Sequence, residues 1–379
     1  MELTQRNLKS KEDKVDKVHK PSHKYKKKWG LASHDGFAAA EYDKPDIRRT
    51  PVEILVRMCH HAREMLRKRW SVQFVLAVLA GSFICFGAAL SIFLSKGIET
   101  DGPKNFMLSV GFSFGFFIVV SSGAALFTEV NVAVPVSMYF FRLSHKKRIS
   151  GHEKDVLFKH CLRCMRFWLT VWIGNITGAI LVATFFKAGM VFSDQGYVDH
   201  LEDVLIGKMD KFIEKGALGW WSAFASAIAG NWLVGMAAFL SSSARSLLGK
   251  YIGVLPPVTL FVSLGLQHSP ANMGYFMIAL INDETKYTWG EVFGWNLIPA
   301  SLGNIIGGSM MVGCSFFYAF AAQEERLWQF IGDELVTGSD GSDFGRDDDA
   351  STDDLMGEDS KQDSEASGNE IVPAGESHV

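Results

Sequence analysis

Gly265-Leu266-Gln267-His268-Ser269-Pro270 interrupts an otherwise apolar run extending from residue 251 to 282. A membrane-spanning helix needs about 20 apolar residues, so this run is both long for one span and broken near its middle. Polar, Gly- and Pro-containing backbone at membrane depth is tolerated only where protein or a water-filled cavity satisfies it. The run therefore reads as two half-helices that meet inside a membrane. A second run, residues 105–141, reads the same way. It is broken by Ser121-Ser122-Gly123 and then by Thr128-Glu129.

Outward from these breaks, hydropathy places six spans at about 71–95, 105–141, 165–190, 218–242, 251–282 and 289–321. The breaks fall in the second and fifth spans, equivalent places in two sets of three. Gly174-Asn175-Ile176-Thr177-Gly178-Ala179 in the third span is echoed by Gly303-Asn304-Ile305-Ile306-Gly307-Gly308 in the sixth. Three is odd, so two three-span halves lie in opposite orientations. Paired discontinuous helices in an inverted repeat point to a transport site at the midplane. The expected fold is an all-α membrane protein with six transmembrane helices in an inverted repeat, helices 2 and 5 broken. Asn175, Asn231 and Asn304, with the small residues around them, read as structural, as helix–helix packing contacts.

Charge is divided along the chain. Residues 1–70 hold 18 Lys/Arg against 10 Asp/Glu, residues 323–379 hold 3 against 17, and the 252 positions between hold 17 against 14. The net charge of −3 is a cancellation of two tails. This pattern excludes a soluble enzyme, a disulfide-rich secreted domain and a protein that binds nucleic acid over its whole surface. Four regions follow. Residues 1–50 are a basic disordered tail and 323–379 an acidic one. Residues 51–70 carry Leu55, Met58, Ala62, Met65 and Leu66 at helical spacing among arginines, the pattern of an amphipathic interfacial helix. Residues 71–322 are the transport domain.

The connection between spans 2 and 3 carries Arg142, Lys146, Lys147, Arg148, Lys154, Lys159, Arg163 and Arg166, while 191–214 is acidic. Both termini are therefore expected in the cytoplasm. Lacking a signal-peptide pattern at its start, the chain is expected in the plasma membrane as a multi-pass protein. Cys161-x-x-Cys164 lacks a second well-spaced ligand pair, so it reads as a reduced thiol pair at a helix start; no metal and no cofactor are expected.

An ionisable side chain inside a membrane is a functional hypothesis by default. His268 lies in the break of span 5, and neutral imidazole trades a proton near neutral pH. Thr128 occupies the break of span 2, where its hydroxyl can donate to an anion or cap the following half-helix. Half-helix N-termini directed at the centre would add partial positive charge. Bulky apolar residues surround these positions: Phe112, Phe116, Leu126, Phe127 and Phe261. Lys215, just before span 4, reads on residue type alone as a snorkelling anchor.

The strings Leu126-Phe127-Thr128, Asn231-Trp232-Leu233-Val234, His268-Ser269-Pro270-Ala271-Asn272-Met273, and Asn296-Leu297-Ile298-Pro299 through Gly303-Asn304-Ile305-Ile306-Gly307-Gly308 resemble the formate/nitrite transporter family, in order, over roughly residues 55–320. The resemblance implies an aquaporin-like protomer, a homopentamer, and one pore per protomer. It implies that Thr128 and His268 are the central polar pair, with Asn272 beside the histidine. It places Phe112, Phe116, Leu126 and Phe261 at two hydrophobic constrictions and Lys215 in a vestibule. The chain departs from the family pattern at Ala125, where an acid is usual, and has Glu129 instead. Gln267 stands where an acid is often found, and Pro270, close after the histidine, is unusual there.

The expected function is transport of a small monocarboxylate or nitrite anion together with a proton. Formate, lactate, acetate and nitrite are the candidate substrates, and neither an enzyme nor a nucleic-acid partner is expected. An anion in hydrocarbon is costly, so the constrictions pass the protonated acid. The rivals are a neutral-solute channel, which lacks paired Asn-Pro-Ala motifs, an intramembrane enzyme, and an anion-sensing scaffold that signals through the acidic tail.

Overall fold

The computed structural model describes residues 48–145 and 153–321. The two tails lie outside the described residues. The described residues are helical: α1 (Pro51–Arg67), α2 (Trp70–Ser95), α3 (Asp101–Ser122), α4 (Phe127–His145), α5 (Glu153–Ala188), α6 (Gln195–Ile213), α7 (Gly216–Ser243), α8 (Leu247–Ser263), α9 (Ser269–Asn282) and α10 (Trp289–Ala321). Five of these are long and apolar enough to cross a membrane: α2, α3, Phe158–Ala188 of α5, α7 and α10.

The two interrupted runs resolve as α3 plus α4 and α8 plus α9. α3 stops at Gly123, whose φ of 76° is left-handed, and the chain restarts as α4 at Phe127. α8 stops just before Gly265, φ 63°, and α9 starts at Ser269. Glycine adopts this conformation without a Cβ penalty, which is why each break contains one. Thr128, expected in the gap, lies in the first turn of α4. Pro270 lies in the first turn of α9, where a missing N–H breaks no helical bond.

α2 is apolar around its whole circumference, as a buried span should be. It packs on α5 where Gly81, Gly174 and Gly178 allow backbones to touch: a Cβ on Gly178 would collide with the Val78 carbonyl. α7 packs on α10 in the same way, with Gly303 against Phe224 and Gly307 against Ile228. Small residues are what permit close helix contact in lipid. In α10 the α-helix alternates with π-turns at Val292–Leu297, Gly307–Cys314 and Phe317–Ala321.

α1 begins with a capping box, Thr50 and Glu53 each bonding the other's backbone N–H. Its apolar face (Leu55, Met58, Cys59, Ala62, Met65, Leu66) is buried, and α1 packs on α4 and α7. Gln73 of α2 donates to the Met65 carbonyl at 2.9 Å, so a side chain of α2 caps the end of α1. The far end of α2 is covered by α6, whose His200 is hydrogen-bonded to Ser95 at 2.7 Å. The sequence reading left 191–214 as a connection. Asp194 caps α6 by accepting from the Gly196 N–H, and Leu201, Leu205, Met209 and Phe212 form its buried stripe.

Candidate functional site

Two asparagines build the site. Asn175 of α5 accepts from the Phe127 N–H at 2.9 Å and donates to the carbonyls of Ala125 at 3.0 Å and Ala77 at 2.8 Å. Asn304 of α10 accepts from the Ser269 N–H at 2.8 Å and donates to the carbonyls of Gln267 at 3.2 Å and Ala227 at 2.8 Å. Each side chain thus ties both sides of one helix break to the preceding span. Both are fully buried, where an unpaired backbone group would be costly. Asn231 joins the two halves, its amide donating to the carbonyls of Thr128 and Asn304.

This scaffold brings His268 and Thr128 together. Nε2 of His268 lies 2.9 Å from Oγ1 of Thr128, and both residues are completely buried. The other ring nitrogen, Nδ1, caps α9 by accepting from the Ala271 N–H at 3.3 Å. A backbone N–H donates only to a ring nitrogen that carries no hydrogen. The hydrogen is therefore on Nε2, which donates to Thr128 Oγ1, and the imidazole is neutral. The Thr128 hydroxyl hydrogen is left to point elsewhere.

Gln267 and Asn272 form a separate amide network beside this pair. Oε1 of Gln267 accepts from Asn272 at 2.8 Å and from Asn296 at 3.1 Å, while Asn272 also donates to Asn296 Oδ1 at 2.6 Å. Asn272 therefore orients Gln267 and Asn296. The histidine is oriented by Ala271 and Thr128. Nε2 of Gln267 and Oδ1 of Asn272 are buried and have no hydrogen-bond partner among the described residues. Asn296 completes the network from the first π-turn of α10 and was not singled out as a site residue from sequence, although it opens the quoted Asn-Leu-Ile-Pro string.

Aromatic rings lead away from the histidine. Phe261 lies 5.2 Å from the His268 ring, Phe112 lies 5.6 Å from Phe261 edge to face, and Tyr275 stacks at 6.2 Å on Phe112. Tyr275 was not anticipated. Its hydroxyl is held by Ser91 at 2.7 Å. Phe116 and Leu126 are fully buried in the same core cluster. Phe127 is placed elsewhere, in the cluster with Met65, Leu66, Ala77 and Phe167 beneath α1. Lys215 is exposed at the N-cap of α7.

Over Tyr275 lies a second unanticipated residue, Lys208 of α6, with Nζ 5.7 Å from the ring centre. Its own backbone carbonyl accepts from Asn296 at 3.1 Å, which locks this turn of α6 to the amide network. Burial, and to a lesser degree the neighbouring Lys211, pulls the Lys208 ammonium down to about 7. The sequence signal was available: Lys208 sits in register with Leu201, Leu205 and Phe212 on the apolar stripe of α6. Around it α6 is fastened by Lys286 and Tyr287 to Asp210, and by Lys96 to Asp194. These bonds hold the Asp210 and Asp194 carboxyls below the ordinary range. Among the described residues no group of three or more His, Cys, Asp or Glu could hold a metal ion. All five cysteines are free thiols.

A buried neutral His–Thr pair between two broken helices, with phenylalanine rings packed against it, fits polar backbone held inside a membrane protein. A sequence model described as formate/nitrite transporter matches residues 52–318. The chain belongs to the formate/nitrite transporter family. Within the family, it is 30% identical over 259 residues to a probable formate transporter of Methanothermobacter thermautotrophicus, covering 65% of this chain and 88% of that one. It is 29% identical over 276 residues to the formate channel FocA of Escherichia coli K12, covering 66% and 87%. Its fold is similar to that of a pentameric formate channel with formate bound, with a TM-score of 0.52 and 24% identity over 66% of this chain and 97% of that one. These relatives are transporters and channels. Family membership and the apolar helices make the chain a multi-pass membrane protein that moves anions.

Proposed function

We propose that this transporter carries small weak-acid anions, formate foremost and lactate, acetate and nitrite with it, across the plasma membrane together with a proton. The observation that carries the reading is the fully buried pair of His268 and Thr128, closed off by Phe112 and Phe261. The likeness to formate transporters supports the substrate class. The basic connection between α4 and α5 faces the cytoplasm with both termini, so α6 covers the outer end. The matching asparagine clamps support an aquaporin-like inverted repeat of six spans, counting α3–α4 and α8–α9 as one each. The pentameric relative, and exposed Phe86, Phe106, Phe114, Trp221 and Trp232 on the outer surface of the helices, support a homopentamer in the bilayer.

The apolar rings set the mechanism. A carboxylate loses its hydration at the Phe112–Phe261 pair, where no ion partner replaces it, so the neutral acid crosses far more easily. As the dielectric falls inward the acid's own pKa rises and it takes a proton. At the centre the Thr128 hydroxyl donates to the acid's oxygen. His268 stays neutral throughout, because protonating Nδ1 requires releasing the Ala271 N–H. Its task is to hold Thr128 and α9 in place. Lys215 and the half-helix N-termini add positive potential along the route.

The experiment is formate uptake by whole cells of a transporter-deficient host, as outside pH is lowered. Uptake that rises with acidity and saturates supports the reading. Uptake indifferent to pH contradicts it.

A further inference from the structure

We infer that Glu129 is the proton-exchange group at the inner end of the pore: its carboxylate takes the proton from the neutral acid that has passed His268 and Thr128. In the reverse direction it gives that proton to an anion entering from the cytoplasm. The inference rests on the weak-acid reading above and names where the co-transported proton leaves.

Exposure singles the residue out. From residue 124 to residue 137 every position is buried except Glu129, which is half-buried. It directly follows Thr128 in the first turn of α4. A carboxyl at this depth has to meet water or a partner. Among the described residues no hydrogen bond or ion pair reaches it, so the carboxyl opens on accessible space.

Its neighbours say on which side that space lies. His61 of α1 and Lys250, in the first turn of α8, are close enough to act on its charge. Arg57 of α1 and Arg49 act in turn on Lys250, and Arg49 holds the Ser242 and Ala244 carbonyls at the end of α7. These groups share the end of the molecule to which α4 and its basic connection lead, the cytoplasmic end on the reading above. The other elements packed on α4 add little charge. α7, and α10 beyond Glu291, carry no charged residue, α9 follows the neutral His268, and Arg163 of α5 acts on Cys164 of its own helix.

A carboxylate suits this exchange. Formic acid and a glutamic acid side chain carry the same functional group. Moving one proton from the acid's O–H to a Glu129 oxygen therefore breaks and forms like bonds at nearly equal free energy. The products are formate and a neutral Glu129 carboxyl. Formate leaves to the cytoplasm, and Glu129 then gives its proton to water. A lysine in the same place would hold the proton far more tightly. Two carboxylates side by side share one proton rather than both ionise. A bare anion therefore enters from the cytoplasm only where Glu129 is protonated, which ties each passage to a proton.

The test compares two directions in whole cells of the transporter-deficient host: formate efflux from preloaded cells with internal pH held at 7, and initial uptake at outside pH 6. Wild type, Glu129→Gln and Glu129→Asp are measured, with size-exclusion profiles confirming equal assembly. Glu129→Gln is expected to slow efflux about tenfold and uptake by much less, because uptake acquires its proton at the other end. Glu129→Asp keeps the carboxyl and is expected to hold efflux within about threefold of wild type. Efflux in Glu129→Gln that equals or exceeds wild type, an equal loss in both directions, or efflux in Glu129→Asp as low as in Glu129→Gln overturns the inference. If wild type itself shows no acid-stimulated uptake, the weak-acid reading falls first and separately.

Discussion

At the scale of single residues, the central question is what a buried histidine does when both its nitrogens are already bonded. His268 accepts from Ala271 and donates to Thr128, so it acts as a rigid strut that leaves one hydroxyl hydrogen free. His268→Phe is expected to stop formate uptake while the protein still assembles, because the ring volume is kept and only the bonds to Ala271 and Thr128 are lost, at about 1 kcal/mol each. Uptake assay and size-exclusion profile together check this, and normal flux would remove the histidine from the pathway. Gln267 gives a second prediction. A carboxylate there keeps the bonds from Asn272 and Asn296 but puts a negative charge beside the centre, which repels the anion that approaches before it takes its proton. Gln267→Glu should therefore lower uptake at neutral outside pH by about tenfold, and a rate equal to wild type would show that Gln267 is shielded from the permeating species.

At the scale of elements, the asparagine clamps are what allow helices to break in lipid. Replacing Asn175 or Asn304 by Leu orphans one buried N–H and one carbonyl of the break, each worth about 1–3 kcal/mol. Both variants should lower Tm in detergent by similar amounts, and a large drop for one alone would show that the two breaks are held differently. α6 carries a pH prediction. Burial, helped by Lys104 and Lys96 and opposed by Asp203, lowers the His200 pKa from 6.5. The docked helix then disfavours the imidazolium, so docking strength is full above about 6.5 and declines as pH falls below it. Protection factors of α6 amides, taken against the intrinsic exchange rate at each pH, should fall between pH 7.5 and 5.5, and His200→Gln should remove that change. The two breaks were legible in sequence because Gly, Pro and His stand out against apolar runs, and the clamps because Gly-Asn strings repeat. Their role was not: Asn175 and Asn304 read as packing contacts, since sequence does not show which backbone groups a side chain reaches. α6 escaped because its acidic face masked the 201–205–208–212 stripe, and Lys208 and Tyr275 escaped with it. Phe127 was grouped with the constriction as a bulky apolar residue of the second span, yet it and Leu126 pack in different clusters, because consecutive residues at a helix start face different ways.

At the scale of the whole molecule, the His268–Thr128 pair, the aromatic rings and the amide network all come from described residues between 112 and 304, so the acidic segment 323–379 is not expected to be needed for passage itself. Its removal should leave uptake rates within about twofold of wild type, and a large loss would revive the view of the chain as a sensing scaffold. The most direct test of the central claim is radiolabelled formate uptake in a transporter-deficient host, at outside pH 5.5 and 7.5, by wild type and Thr128→Ala. Weak-acid passage through the His268–Thr128 centre predicts faster wild-type uptake at pH 5.5 and a strong loss at both pH values when the hydroxyl is removed. Equal uptake at the two pH values, or a Thr128→Ala protein that transports as well as wild type, would contradict it.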